Sequence, residues 1–184
     1  AARAIDTYRL LDGFRVDSLQ LSRIEGIYTG MINAYWHRAG AEDAVVLATL
    51  DYWKWKVTGG GISREPYATY RERQEQLNKE YLEVLDSLIR EYGTHEICAE
   101  AYICKADRLR GLGGTYIDEA LQTCDEGVKR YPAYKRINEL RNIRENILQP
   151  YLDINTRGSI YPGDSLELNV AYRNLKGFTL NLYR

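Results

Sequence analysis

The sequence predicts a mostly α fold: helical hairpins laid into a right-handed stack, with a short antiparallel β segment at the C-terminal end. Three observations carry this. Apolar residues recur at intervals of three and four through residues 1–150, the signature of helices with one buried stripe. Glycine and proline clusters cut that pattern into lengths typical of helices. After Pro150 the period changes to two, as in a strand with one buried face. The expected organisation is a helical-repeat domain over 1–150 and, over 151–184, the start of a β-sandwich domain cut short.

Element by element, Leu21, Ile24, Tyr28, Met31, Ile32 and Tyr35 form the stripe of a first helix. Asp17 precedes it with Gln20 three residues on, the spacing of a capping box, and Gly40 marks the stop. Val46, Leu47, Leu50, Trp53 and Val57 repeat the spacing up to Gly59-Gly60-Gly61, so two antiparallel helices joined by a short turn are expected. Ser63 is the predicted cap of a long third helix reaching Tyr92, striped by Leu77, Tyr81, Leu85, Leu88 and Tyr92. Thr94 is the predicted cap of a helix carrying Ala99, Tyr102, Ala106 and Leu109. The loop GLGG follows, then Thr115 and Asp118 as a second capping box, and a helix stopped at Pro132. A last helix from about Tyr134 carries Ile137, Leu140, Arg144, Ile147 and Leu148, and Pro150 ends it. In the β segment, Leu152 and Ile154 alternate with polar residues, and Tyr161-Pro162-Gly163-Asp164 signals a turn. Leu166, Leu168, Val170 and Tyr172 predict a half-buried strand, and Asn174 to Gly177 a turn into a partner strand begun by Phe178, Leu180 and Leu182.

Composition narrows the function classes. The 184 residues include 25 Lys and Arg against 26 Asp and Glu, a net charge of −1, so no single-sign field points to nucleic acid or an anionic membrane. The basic residues between Lys129 and Arg144 are interleaved with acids and read as a solvated helix face. No run of about 18 apolar residues occurs, so no helical span is expected. The opening AARAIDTY has no basic-then-apolar leader and reads as a trimmed end, and FTLNLYR stops on a strand pattern, so a fragment is expected. Three cysteines, Cys98, Cys104 and Cys124, form neither a CxxC pair nor an even disulfide set. They read as small buried hydrophobes, with a Cys104–Cys124 bridge open under oxidising conditions.

Signals of chemistry are sparse. GxSxG, HExxH, P-loop and dinucleotide-binding glycine patterns do not occur. His37 and His95 lack a second ligand at metal-binding spacing and read as surface or helix-end residues. Glu80 and Glu83 fall on a solvated helical face. The expected sets of catalytic, cofactor and metal residues are therefore empty. One cluster points to binding: Trp36, Tyr52, Trp53 and Trp55, at the ends of the first hairpin. Trp53 belongs to the stripe, while Trp36 and Trp55 fall off it and are expected to be exposed, as at protein and sugar contact sites. The competing reading packs these rings against the segment Ile5 to Val16.

Two resemblances add to this reading. From Tyr102 to Pro132 the chain resembles a tetratricopeptide repeat. Tyr102, Ala106 and Leu109 fit the large, small and large positions of its first helix, and Ala120, Cys124, Gly127, Val128 and Pro132 fit its second. The GLGG loop is about two residues longer than that family's turn. More broadly, Glu100, Ala101, Tyr102, Lys105, Ala106, Leu109, Glu119, Ala120, Leu121, Cys124, Lys129, Tyr131 and Pro132 run through Leu152 and Ile154 into YPGDSLELNVAYRNLKGFTLNLYR. The stretch from about Tyr81 to Arg184 looks like the N-terminal helical region and first macroglobulin-type β domain of a bacterial alpha-2-macroglobulin-like protein. That resemblance implies a periplasmic or outer-surface place, in the cell envelope, within a protease-inhibitor family. It assigns this segment no catalytic residue, because the family's thioester motif Cys-Gly-Glu-Gln does not occur. The resulting expectation is a non-catalytic protein–protein interaction or scaffold module without cofactor, its partner another protein or other domains of its own chain. Two alternatives remain: a glycan-binding surface protein of helical-repeat type, and a helical hydrolase with a dispersed site.

Overall fold

The computed structural model describes residues 18–36, 38–60, 67–156, 168–179 and 181. Among the described residues six α-helices follow one another: α1 (Ser18–Tyr35), α2 (Glu42–Trp55), α3 (Tyr67–Tyr92), α4 (Ala99–Leu112), α5 (Ile117–Arg130) and α6 (Asn138–Leu148). A π-helical turn, Lys56–Gly60, extends α2, and short 3-10 turns, Glu96–Cys98 and Gly114–Tyr116, lead into α4 and α5. Strands β1 (Tyr151–Thr156) and β2 (Leu168–Arg173) follow and, among the described residues, form a two-stranded antiparallel sheet. The mostly helical class with a short β appendage is thus what the chain adopts.

The helices form two layers. α2 packs on α4, and α4 on α6, as an inner row. α1 lies against α2, α3 against α2 and α4, and α5 against α4 and α6. The outer helices α1, α3 and α5 make no comparable contact with one another. A stack that is tight along one row and splayed along the other is concave on the tight side, as in helical-repeat proteins.

Burial follows the periodicity. In α3, Leu77, Tyr81, Leu85 and Leu88 are all buried, while i,i+4 pairs such as Arg71–Glu75 support the solvated face. α4 has neighbours on most sides, so Ala99, Ala101, Tyr102, Ile103, Cys104, Ala106 and Leu109 are buried around its circumference. Its alanines let those neighbours approach closely. Gly127 of α5 does so more tightly still. A Cβ there would lie 2.5 Å from Leu140 Cδ1 and 3.1 Å from Tyr102 Cβ, so α4, α5 and α6 meet where only hydrogen fits. The GLGG turn uses glycine for its backbone instead: Gly113 and Gly114 have φ of +66° and +54°.

Several expectations are corrected. Thr94 does not cap α4; His95 and a 3-10 turn precede the helix, and no side chain caps it. Thr115 lies inside the 3-10 turn, and α5 likewise starts without a side-chain cap. Backbone bonds of these turns, such as Cys98 N–H to His95 O and Tyr116 N–H to Gly113 O, take up donors that a side chain would otherwise serve. α6 begins at Asn138, after turns at 132–137, and its buried stripe is Ile137, Leu140, Ile143 and Ile147. Arg144 instead points outward to Asp125, and Leu148 is exposed. Gln149 is extended, at ψ 133°, as the residue before a proline should be. Asp17, His37, Ser63, Leu166, Leu180, Leu182 and the turn at 161–164 lie outside the described residues.

The sheet also differs from expectation. β2 pairs with β1, Leu152 opposite Tyr172 and Ile154 opposite Val170. Phe178 is not in a strand; its ring lies 6.0 Å from that of Tyr172. Alternation puts Leu152, Ile154, Leu168, Val170 and Tyr172 on one face. That face is not half-buried throughout, since Leu152, Ile154 and Tyr172 are 43%, 40% and 62% exposed. The sheet meets the helices at its end instead. Arg173 donates to the Asn146 carbonyl at 2.7 Å, and Asn174, at φ +54°, donates to the Ile147 carbonyl at 2.6 Å. These bonds serve carbonyls at the C-terminal end of α6.

Glycine positions give a paired test. Gly127→Ala forces Leu140 and Tyr102 apart, and the loss of about 1–3 kcal/mol from overpacking outweighs the helix-propensity gain. Gly111→Ala, in the last turn of α4 with open space around it, should instead gain up to about 1 kcal/mol. Urea denaturation of both variants should show opposite shifts in midpoint.

Candidate functional site

The inner row carries a groove on its concave side. Its wall is the outward face of α2, Ala44, Leu47, Ala48, Asp51 and Lys54, met by Met31 and Tyr35 of α1. Glu100 of α4 and Arg136 of the α5–α6 turn close the far end. The volume is about 540 Å³, within the range of ligand pockets. Leu47 was expected within the buried stripe of α2, but it is 47% exposed and faces this groove. Its position on the wheel separates it from Val46, Leu50 and Val57, which face α3 and α4 in the core. An apolar side chain kept half in water on a concave wall is a natural docking contact.

The charged end is preorganised. Glu100 is buried, and both its oxygens accept from Arg136 Nη1, at 3.0 and 2.7 Å. Tyr134 OH donates to the same carboxylate at 2.9 Å. Burial, and then this bond, push the Tyr134 phenol up to about 12. The Arg136 side chain remains 48% exposed, and its Nη2 lies 3.9 Å from Glu139 Oε1. A buried carboxylate gripping a half-exposed guanidinium holds that side chain in place at the end of the groove.

The four aromatic residues singled out in the sequence do not form one surface. Trp36 is 42% exposed, as expected. Trp55 is not: it is buried, stacked on Tyr28 at 5.8 Å, and its Nε1 has no partner among the described residues. The reason is its place on the wheel: Trp55 stands three residues after Tyr52 and shares the face of α2 that meets α1. Tyr52 is buried in the same α1–α2 cluster and donates to Glu25 Oε1 at 2.6 Å; burial foremost, then that bond, pushes its phenol up. Trp53 is half-buried, stacked parallel on Tyr81 at 6.1 Å, with Lys56 Nζ 4.7 Å from its ring centre. The rings pack against α1 and α3; the competing partner, 5–16, lies outside the described residues.

Cys98, Cys104 and Cys124 are buried free thiols, and no Cys104–Cys124 bridge is formed. Burial raises all three; for Cys104 the nearby Lys54 and Tyr81 oppose it, and Cys124 reaches about 11. His95 is exposed at a helix end. Glu83 is exposed, and Glu80, half-buried, accepts from Gln76. Among the described residues no three His, Cys, Asp or Glu side chains converge as metal ligands, and no helix is long and apolar enough to cross a membrane.

Comparison with known families, curated proteins and solved structures returns no match for this chain.

The Glu100 cluster sets one expectation. Arg136→Ala leaves a buried carboxylate with only Tyr134 as partner and should cost about 1–3 kcal/mol, against about 1 kcal/mol for Tyr134→Phe. In the double variant the losses should not add, because both act on one carboxylate; urea denaturation measures all three. The thiols set another. Their folded pKa values lie above the ordinary 9.0, so folding favours the protonated form. That stability is complete below pH 9 and is lost as pH rises toward 11. Thermal melts should fall across that window, and a thiol reagent at neutral pH should label the cysteines only on unfolding.

Proposed function

We propose that this chain is a non-catalytic protein–protein interaction module that holds an extended protein segment in its concave groove. The observation that carries this is the exposed Leu47 on the groove wall, which Glu100 and Arg136 close at the far end. The alanines beside Leu47 leave room for a partner's backbone, and Asp51, Lys54 and Arg136 give that partner polar registration points. The sequence resemblance supports placing the module at the N-terminus of an alpha-2-macroglobulin-like protease-inhibitor protein of the cell envelope, with its partner either another domain of that chain or a separate protein. On the same reading, residues from Tyr151 onward begin a macroglobulin-type β domain.

The test is selection of displayed random peptides on the full chain. Wild type should enrich a family of related peptides. Leu47→Asp should weaken their binding tenfold or more while leaving the circular-dichroism spectrum and melting midpoint near wild type. If no family is enriched, or if Leu47→Asp binds as wild type does, the groove is not the docking site. Titration with oligosaccharides, followed by tryptophan fluorescence, should leave the signal unchanged. The coding sequence past Arg184 should continue into further β-sandwich domains and a Cys-Gly-Glu-Gln motif.

A further inference from the structure

The first helix is held to the stack by one small seam. Among the described residues, α2 is the only element on which α1 packs closely. The seam has its own apolar cluster, Ile24 and Tyr28 of α1 with Tyr52 and Trp55 of α2. It is distinct from the main core, and the half-buried Trp53 packs on both. An element joined through one small cluster opens at lower free energy than the core does. Met31 sits where this seam meets the concave groove. It is half-buried, packs on the cluster, and lines the groove wall beside Tyr35.

Met31 is also the one methionine in the 184 residues. The other sulfurs are shielded. Cys98, Cys104 and Cys124 are buried, and burial holds each thiol protonated and poorly nucleophilic at neutral pH. A thioether needs no deprotonation to react with peroxide, only access, and Met31 is the sulfur that has it. Its sulfur gives a lone pair to one peroxide oxygen, the O–O bond breaks, and an S–O bond forms. The second oxygen leaves as water with both protons. Sulfur loses two electrons and the peroxide gains them. A polar sulfoxide then stands in place of a flexible apolar side chain. The two tyrosine hydroxyls of the seam are already committed, Tyr28 to Asp51 at 2.9 Å and Tyr52 to Glu25 at 2.6 Å. The new oxygen is drawn toward water and away from the rings.

We infer that Met31 is an oxidation-sensitive latch: its conversion to the sulfoxide by hydrogen peroxide loosens α1 from α2 and unmakes the part of the groove wall that Met31 and Tyr35 provide. The loss of docking rests on the function proposed above for the groove; the release of α1 does not.

The full chain is treated with hydrogen peroxide at neutral pH, mapped by mass spectrometry and followed by amide hydrogen exchange. Met31 should take up one oxygen before any cysteine is modified. Exchange across α1 should then quicken about tenfold or more, while α4 to α6 keep the untreated rate. Methionine sulfoxide reductase with a dithiol should restore the slow exchange. Met31→Leu, close in volume, should fold as wild type and show no change in α1 on treatment. Met31→Gln should show the faster α1 exchange without peroxide. The inference is overturned if a cysteine is oxidised ahead of Met31, or if Met31→Leu responds to peroxide as wild type does. It is equally overturned if α1 exchange in the oxidised chain is unchanged, or is slower because Trp55 Nε1 takes up the sulfoxide oxygen. Peptides selected on the wild type should bind the oxidised chain about tenfold more weakly, and bind Met31→Leu equally before and after treatment. If selection yields no peptide, the docking function falls, and the exchange measurements still decide the latch.

Discussion

The close approach at Gly127 is the constraint on which the stack rests. One missing side chain lets α5 settle against Tyr102 of α4 and Leu140 of α6 at once. Around it Tyr102 and Tyr131 meet edge to face at 5.9 Å, and Tyr131 OH donates to the Gly93 carbonyl at 2.7 Å, tying the end of α5 back to the end of α3. With α5 wedged there, α4 and α6 lie side by side as the inner row, and the turn between α5 and α6 brings Tyr134 and Arg136 onto Glu100. The concave groove and the splay of the outer helices are both consequences of how tightly the inner row closes.

The helices were legible because each buries a stripe, and a stripe is a local pattern. Leu77, Tyr81, Leu85 and Leu88 announce α3 without reference to anything else, and Pro132 and Pro150 mark ends through their own geometry. The switch to a period of two after Pro150 correctly located strand structure at Tyr151. The errors share a different origin. Thr94 and Thr115 look like caps, but 3-10 turns place them outside the cap position. Trp55 looked exposed because it falls outside the stripe that faces α3 and α4, yet it lies on the second face of α2, the one that meets α1. Phe178, expected to begin a third strand, lies outside one: β2 pairs with β1 instead, and Leu180 and Leu182 lie outside the described residues.

The candidate site was less legible than the fold, for a physical reason. Leu47 differs from Val46 and Leu50 only in which neighbour its side of α2 happens to face. Glu100 gave one faint signal, an acid inside the otherwise apolar run AEAYIC, which a buried helix tolerates only with a partner. That partner, Arg136, lies 36 residues further on, a separation no local spacing rule spans. The aromatic cluster drew attention by composition, yet in the structure most of it cements α1 and α3 to α2. A basic residue meeting a buried acid proved the better marker of an organised surface than a collection of rings.

The bonds from Arg173 and Asn174 to the Asn146 and Ile147 carbonyls have a mechanical consequence. They fasten the strand pair to the last turn of α6 where the chain would otherwise swivel about Gln149 and Pro150. A displacement of the sheet is then passed along α6 as along a lever, whose inner end, Leu140, bears on the Gly127 fulcrum. Load on the β unit is felt in the middle of the helical stack, close to the carboxylate that steadies the concave wall.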